Sequence, residues 1–167
     1  MFALGRLFDA SIAFVPTDVV AAGVTGKYVS LRHAGGATLI VCHNGASTDI
    51  IDLDIQQATD SAGAGAVDLD CVTEYYYKQA TTLAGTETWT RATQAAASEI
   101  TDIGSASKQL LAVVEIEASQ LSDGFAYVGV NVPDAGANAT MYACGIWLLR
   151  DLKAPRKPAN MPAALSA

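Results

Sequence analysis

Ile51-Asp52-Leu53-Asp54-Ile55-Gln56 alternates apolar and polar side chains without a break. A side-chain period of two puts Ile51, Leu53 and Ile55 on one face of a strand and the two Asp residues on the other. One buried and one solvated face is the habit of antiparallel sheets, because parallel sheets are covered on both sides. Two further stripes repeat the pattern. Leu110, Ala112, Val114 and Ile116 point inward while Glu115 and Glu117 point to water, and Ala126, Val128, Val130 and Val132 form the third stripe, with Tyr127, Gly129 and Asn131 on its reverse. Further strands are predicted over 28–33, 38–43, 69–78, 88–91 and 140–149. Between them stand Gly35-Gly36, Asn44-Gly45, the Gly-rich run 61–65, Asp123-Gly124 and Pro133-Asp134-Ala135-Gly136, all suited to tight turns. Many short strands at this spacing predict an all-β chain folded as an antiparallel β-sandwich or jelly-roll-like single domain. One short helix is expected over 93–99, capped by Thr93, and a single turn around 119–122.

The chain has 167 residues, which suits one well-buried core. Hydrophobic residues make up 51% and charged residues 16%, so disorder throughout is excluded. The 17 acidic and 10 basic side chains give a formal charge of −7, unevenly spread. Residues 150–167 carry Arg150, Lys153, Arg156 and Lys157 against Asp151 alone, a charge of +3, which leaves −10 on the rest. An acidic body repels phosphate, so direct nucleic-acid binding is not expected. Every apolar run is broken well short of the roughly 20 residues a membrane-spanning helix needs. The first nine residues include Asp9 within the apolar stretch and do not read as a signal peptide, so synthesis in a cytoplasm is expected. Pro155, Pro158 and Pro162 disfavour helix and central strand and make the end an extended basic tail.

Cys42, Cys71 and Cys144 lie far apart in apolar runs and form no CxxC pair, so three buried free thiols are expected, with a disulfide or a metal site as the alternative. His33 and His43 have no further ligands at zinc spacing. Asp49, Asp52, Asp54 and Asp60 lack the calcium-loop pattern and read as a solvated sheet face. Gly63-Ala64-Gly65-Ala66 is not followed by the Lys-Ser/Thr of a phosphate loop. Tyr75-Tyr76-Tyr77-Lys78 reads as packing or a subunit interface rather than a base-stacking platform, since alternate tyrosines face opposite sides of a strand. No nucleophile elbow occurs, and neither an enzyme nor a cofactor is expected.

Three segments carry a family likeness: Gly26-Lys27-Tyr28-Val29-Ser30-Leu31-Arg32 with Ala37-Thr38-Leu39-Ile40-Val41, read as an opening hairpin; Ile55-Gln56-Gln57-Ala58-Thr59-Asp60-Ser61-Ala62-Gly63-Ala64-Gly65-Ala66; and the run from Gly124 to Ala139 that includes Tyr127-Val128-Gly129-Val130-Asn131-Val132-Pro133-Asp134. Their order resembles the capsid decoration, or cement, proteins of tailed bacteriophages, in which the second segment is similar to an LQQATDxxGxGAK pattern. The sequence departs from that pattern at Ala66-Val67-Asp68, where a Lys is expected. The resemblance implies a β-rich, homo-oligomeric virion component, a dimer or trimer on the outer capsid surface that contacts the major capsid protein, with no enzymatic activity and no cofactor. Tail, fibre-base or head-completion components are the structural alternative, and a carbohydrate-binding β-sandwich module is the alternative from another class. On this reading residues 1–10 are an N-terminal arm, 11–151 the β-sandwich domain and 152–167 the extended tail. The expected capsid or oligomer contacts are Phe2, Leu4, Leu7 and Phe8 in the arm, with Arg150, Lys153, Arg156 and Lys157 at the other end.

Overall fold

The computed structural model describes residues 3–45 and 48–165, and Phe2 lies outside them. Among the described residues are strands β1 Phe8–Asp18, β2 Val24–Thr25, β3 Val29–Ser30, β4 Gly36–His43, β5 Leu53–Ala58, β6 Val67–Asp68, β7 Val72–Ala80, β8 Thr90–Ala97, β9 Glu99–Ile100, β10 Gln109–Glu117, β11 Tyr127–Val132 and β12 Tyr142–Arg150. The larger sheet has the order β1-β12-β4-β10-β7-β8. The smaller runs β2-β11-β5-β6, with β3 also on β11 and β9 on β5. Every pairing between these strands is antiparallel.

The alternating stripes meet between the two sheets as one core. Ile51, Leu53 and Ile55 are fully buried, and Leu110, Ala112, Val114, Ile116, Val128, Val130 and Val132 lie in the same cluster. Each such branched side chain removed from water contributes about 1.5–3 kcal/mol, which is why the period-two pattern dictates the fold. Trp147 fills the largest share, and its Nε1–H donates to the Lys27 carbonyl (3.1 Å). That bond ties β12 in one sheet to the segment leading into β3 in the other.

Several local expectations are corrected. Residues 93–99 are not helical, because 93–97 belong to β8, which pairs with β7, and Glu99 opens β9, which pairs with β5. The helix preference of Ala is worth only tenths of a kcal/mol per residue, less than leaving the N–H and C=O groups along β7 without strand partners. The opening hairpin does not form either. β3 pairs with β11 in the smaller sheet, while β4 lies between β10 and β12 in the larger one. A turn closed by Ala34 N–H on the Leu31 carbonyl (3.3 Å) carries the chain from one sheet to the other. Residues 69–78 divide at a turn between β6 and β7. The N-terminal segment is not extended to residue 10: Phe8, Asp9 and Ala10 pair with Arg150, Leu149 and Leu148, and residues 3–7 form a turn in which Leu7 N–H donates to the Ala3 carbonyl (2.7 Å). Two register shifts and Pro16 broke the alternation that would have marked β1, and Pro16 is tolerated because β1 is a sheet edge.

The reverse of β11 is covered as well as its core face. Tyr28, Ala58 and Tyr127 form a second small buried cluster there. The Tyr28 hydroxyl donates to Gln56 Oε1 (2.6 Å) and its ring lies over Gly129, where a Cβ would stand 2.5 Å from Tyr28 Cδ1. Gly129→Ala is therefore expected to cost about 1–3 kcal/mol through overpacking. In urea unfolding, the Tyr28→Ala/Gly129→Ala chain should lose less than the two single losses combined, and simple additivity would show that the ring does not set the limit.

His43 ends β4 on the core side. It accepts the Gly45 N–H at Nδ1 (3.1 Å), and its buried Nε2 has no partner among the described residues. Burial pushes its pKa down to about 4, from about 6.5 when solvated. A depressed pKa means the folded state disfavours the proton, so stability is complete above pH ~6.5 and declines as pH falls toward 4. The contribution is up to about 3 kcal/mol. Unfolding free energies at pH 7 and pH 4 should differ less in His43→Gln than in the parent chain, and equal differences would refute the assignment.

Candidate functional site

The strands at the centre of the larger sheet are apolar on both faces. Leu39-Ile40-Val41, Leu110-Leu111-Ala112-Val113-Val114 and Ile146-Trp147-Leu148-Leu149 each place alternate residues in the core and send the others outward. Register then aligns the outward set. Ile12 stands opposite Ile146, Ile146 opposite Ile40, Ile40 opposite Val113, and Val113 opposite Tyr76, a continuous row across five strands. A second row runs Cys144, Cys42, Leu111, Lys78. Ile12 is 44% exposed, Ile146 41% and Tyr142 56%. An outer face of aligned Ile, Val, Leu and Tyr differs from the scattered single exposures normal on a soluble surface and makes this face the candidate site.

Charge frames this face. At one end Arg150 donates to Glu117 and Asp151 (2.9 Å) and lies 3.8 Å from Glu115. At the other, Arg91 pairs with Glu74, and Lys78 Nζ sits 4.8 Å from the centroid of the exposed Trp89 ring. A groove between β7 and β10, lined by Glu74, Tyr76, Glu115, Glu117 and Gln120, has a volume of about 460 Å³.

The expected contact residues fall at one end of the molecule. Leu4 is 39% and Leu7 63% exposed within the turn, while Phe8 is half-buried opposite Arg150. Arg150 is occupied by its acidic neighbours, and the hydrogen bond it donates to Glu117 raises its pKa. Lys153 is spent partly on the body, its N–H donating to the His33 carbonyl (3.0 Å) and its Nζ to the Arg32 carbonyl (2.9 Å). Arg156 and Lys157 are exposed. The tail as a whole folds back: Arg156 N–H donates to the Gly5 carbonyl (2.6 Å), Ser30 N–H to the Ala164 carbonyl (2.9 Å), and Leu152 and Ala164 pack on the core. A mostly apolar cavity of about 60 Å³ remains beneath it, between Gly5, Leu149, Leu152 and Met161. The return of the tail sets Arg6 in the N-terminal turn near Arg156 and Lys157, a basic end that sequence separation concealed.

Other sequence candidates resolve into structure. Tyr75 and Tyr77 pack against the core with ring centroids 6.2 Å apart, and Tyr76 joins the outer row. Asp52 accepts the Asp102 N–H, Asp60 accepts from Ala62 and Ala64 in its turn, and Asp49 accepts from Asn138, so these carboxylates brace loops. Asp54 is half-buried, and desolvation raises its pKa. The three cysteines are free, but not buried as expected: Cys42 is exposed, and Cys71 and Cys144 are half-buried. Nor are all three apart, since the sulfurs of Cys42 and Cys144 lie 3.3 Å from each other. Both are on the outer face because their period places them opposite to the core residues on their strands. Burial pushes Cys71 up to about 11, and burial with the Cys144 hydrogen bond does the same to Cys42.

Among the described residues no three His, Cys, Asp or Glu side chains are grouped to hold a metal ion, and no helix is long and apolar enough to cross a membrane. What the site offers is contact area with a charged frame. Comparison with family models, with curated proteins and with solved structures finds no match to the chain.

Proposed function

We propose that the protein is a structural component of a tailed-phage virion: a capsid decoration protein that sits on the outer surface of the head as a homo-oligomer and bridges major capsid protein subunits. The observation that carries this reading is the apolar outer face of the larger sheet, which suits a protein whose work is contact between chains. The likeness of the three segments supplies the setting. The two rows, about 7 Å apart on strands spaced at about 4.8 Å, give roughly 300 Å² per copy, or about 600 Å² for a pair, the size of a weak contact. A second copy of the chain is the occupant that fits. A twofold axis along the row from Ile12 to Tyr76 would set Glu74 of each copy against Lys78 of the other, because the two residues flank Tyr76 at equal distance on one strand.

An interface of that size gives modest affinity by itself. Oligomers offset this on a repeating shell, where each later contact forms at high effective concentration. In this arrangement the apolar face joins copies, and the end bearing Leu4, Leu7, Arg156 and Lys157 meets acidic and apolar ground on the major capsid protein. The alternative of a tail, fibre-base or head-completion part differs in copy number, hundreds for decoration and few for the others.

Val113→Glu should leave the circular dichroism spectrum unchanged and convert the sedimenting species to monomer. Glu74→Lys and Lys78→Glu should each weaken association, and the double reversal should restore it. A native chain that is monomeric at micromolar concentration and fails to co-sediment with purified shells would defeat the proposal. Arg156→Glu/Lys157→Glu separates the two contacts: self-association is expected to hold while shell occupancy falls and loses part of its salt dependence. Charge reversal is preferred to removal of the tail, which would uncover Leu152 and Ala164 packing.

A further inference from the structure

Residues 42 and 144 are far apart in the chain, yet β4 and β12 set Cys42 directly opposite Cys144 with sulfurs 3.3 Å apart. Directly opposed residues of an antiparallel pair have Cα atoms about 4.5–5.5 Å apart, inside the span a disulfide bridges. To reach a covalent S–S length of about 2.05 Å the sulfurs must close by only about 1.3 Å, a shift that side-chain rotation supplies without moving either strand. Both lie on the outer face, where Cys42 is exposed, whereas Cys71 lies in the turn between β6 and β7. From this geometry we infer that Cys42 and Cys144 form a reversible modification site, a dithiol that low-molecular-weight disulfides of the glutathione type convert to a cross-strand disulfide.

The exchange balances in two steps. The Cys42 thiolate attacks one sulfur of glutathione disulfide, forms a mixed disulfide and releases one glutathione thiolate, which takes up a proton. Cys144, having given its proton to solvent, then attacks the Cys42 sulfur, closes the protein disulfide and releases the second glutathione thiolate, which is protonated in turn. Two electrons pass from the cysteine pair to the glutathione disulfide, and excess reduced glutathione reverses the sequence. The raised pKa of Cys42 keeps it a thiol at neutral pH, so the first step is slow there and quickens about tenfold per pH unit toward alkaline conditions. A reducing cytoplasm keeps the pair open, and release into oxidising surroundings closes it. Closure would link the neighbouring strands β4 and β12 across a long loop, which restricts the unfolded chain and raises the melting temperature by about 5–10 °C. The inference depends on strand register alone and holds whatever the protein's role.

The test is incubation of the full chain with glutathione disulfide at pH 8.5, read by intact mass, peptide mapping and melting temperature. Expected are the loss of two hydrogens in mass, a peptide pair joining Cys42 to Cys144, retention of the Cys71 thiol, a higher melting temperature, and full reversal by reductant. Cys144→Ser should instead accumulate a stable glutathione adduct on Cys42. The same exchange on Val113→Glu, whose outer face is freed from any second copy, distinguishes a covered pair from one that cannot join. Oxidation of either chain as described supports the inference. Persistence of all three thiols in both, or a link through Cys71, overturns it.

Discussion

A strand that is apolar at consecutive positions has two faces to remove from water, and a fold with one core removes only one of them. β4, β10 and β12 all carry this constraint, and they are adjacent in the larger sheet. Their inward residues, from Leu39 and Val41 through Leu110, Ala112 and Val114 to Trp147 and Leu149, fill the space against the smaller sheet. Their outward residues are left as aligned rows on the outer side of the sheet. At about 25 cal/mol per Å² of apolar surface, the cost of hydrating such a face is several kcal/mol, comparable with the whole stability of a domain. That cost is the physical ground of the proposal that this face joins copies of the chain.

The smaller sheet has the opposite solution. Its central β11 is also covered on both faces, but by the chain itself, with Tyr28 laid over Gly129 and hydrogen-bonded to Gln56. The absence of a side chain at Gly129 is what lets the ring approach, and the buried cluster of Tyr28, Ala58 and Tyr127 follows from it. One sheet is thus covered on both faces of its central strand by the chain itself, whereas the other leaves Ile12, Ile146 and Tyr142 exposed on its outer side.

Much of this was legible in the sequence. The three alternating stripes located the core residues, and the alternation of Tyr75, Tyr76 and Tyr77 foretold that they divide between two faces but not which face is the core. The outward apolar rows are less legible, because Leu111 and Val113 break the polar side of β10 while Glu115 and Glu117 continue it. Residues 93–99 were misread because alanine reports local preference, while the pairing with β7 is nonlocal. The same holds for 26–41, whose segments look like a hairpin until β10 and β12 are seen to occupy both sides of β4. The opposition of Cys42 and Cys144 depends on register between strands distant in sequence, for which a single chain carries no local signal.

The charge distribution acquires a different meaning in three dimensions. The tail's formal +3 overstates what is available, since Arg150 is neutralised among Glu115, Glu117 and Asp151 and Lys153 leans on the Arg32 carbonyl. What the sequence counted as a free basic arm is a strap whose backbone is hydrogen-bonded to Gly5, Ser30 and His33. Strapping leaves Arg156 and Lys157 exposed and brings Arg6 to their side from the other end of the chain. Charges held on an ordered backbone lose less conformational entropy when they meet a partner than charges on a frayed one, by about 1–2 kcal/mol per residue whose backbone is already fixed. A basic patch so fixed, set on a body that is otherwise acidic, favours an oriented approach in which this end of the molecule leads.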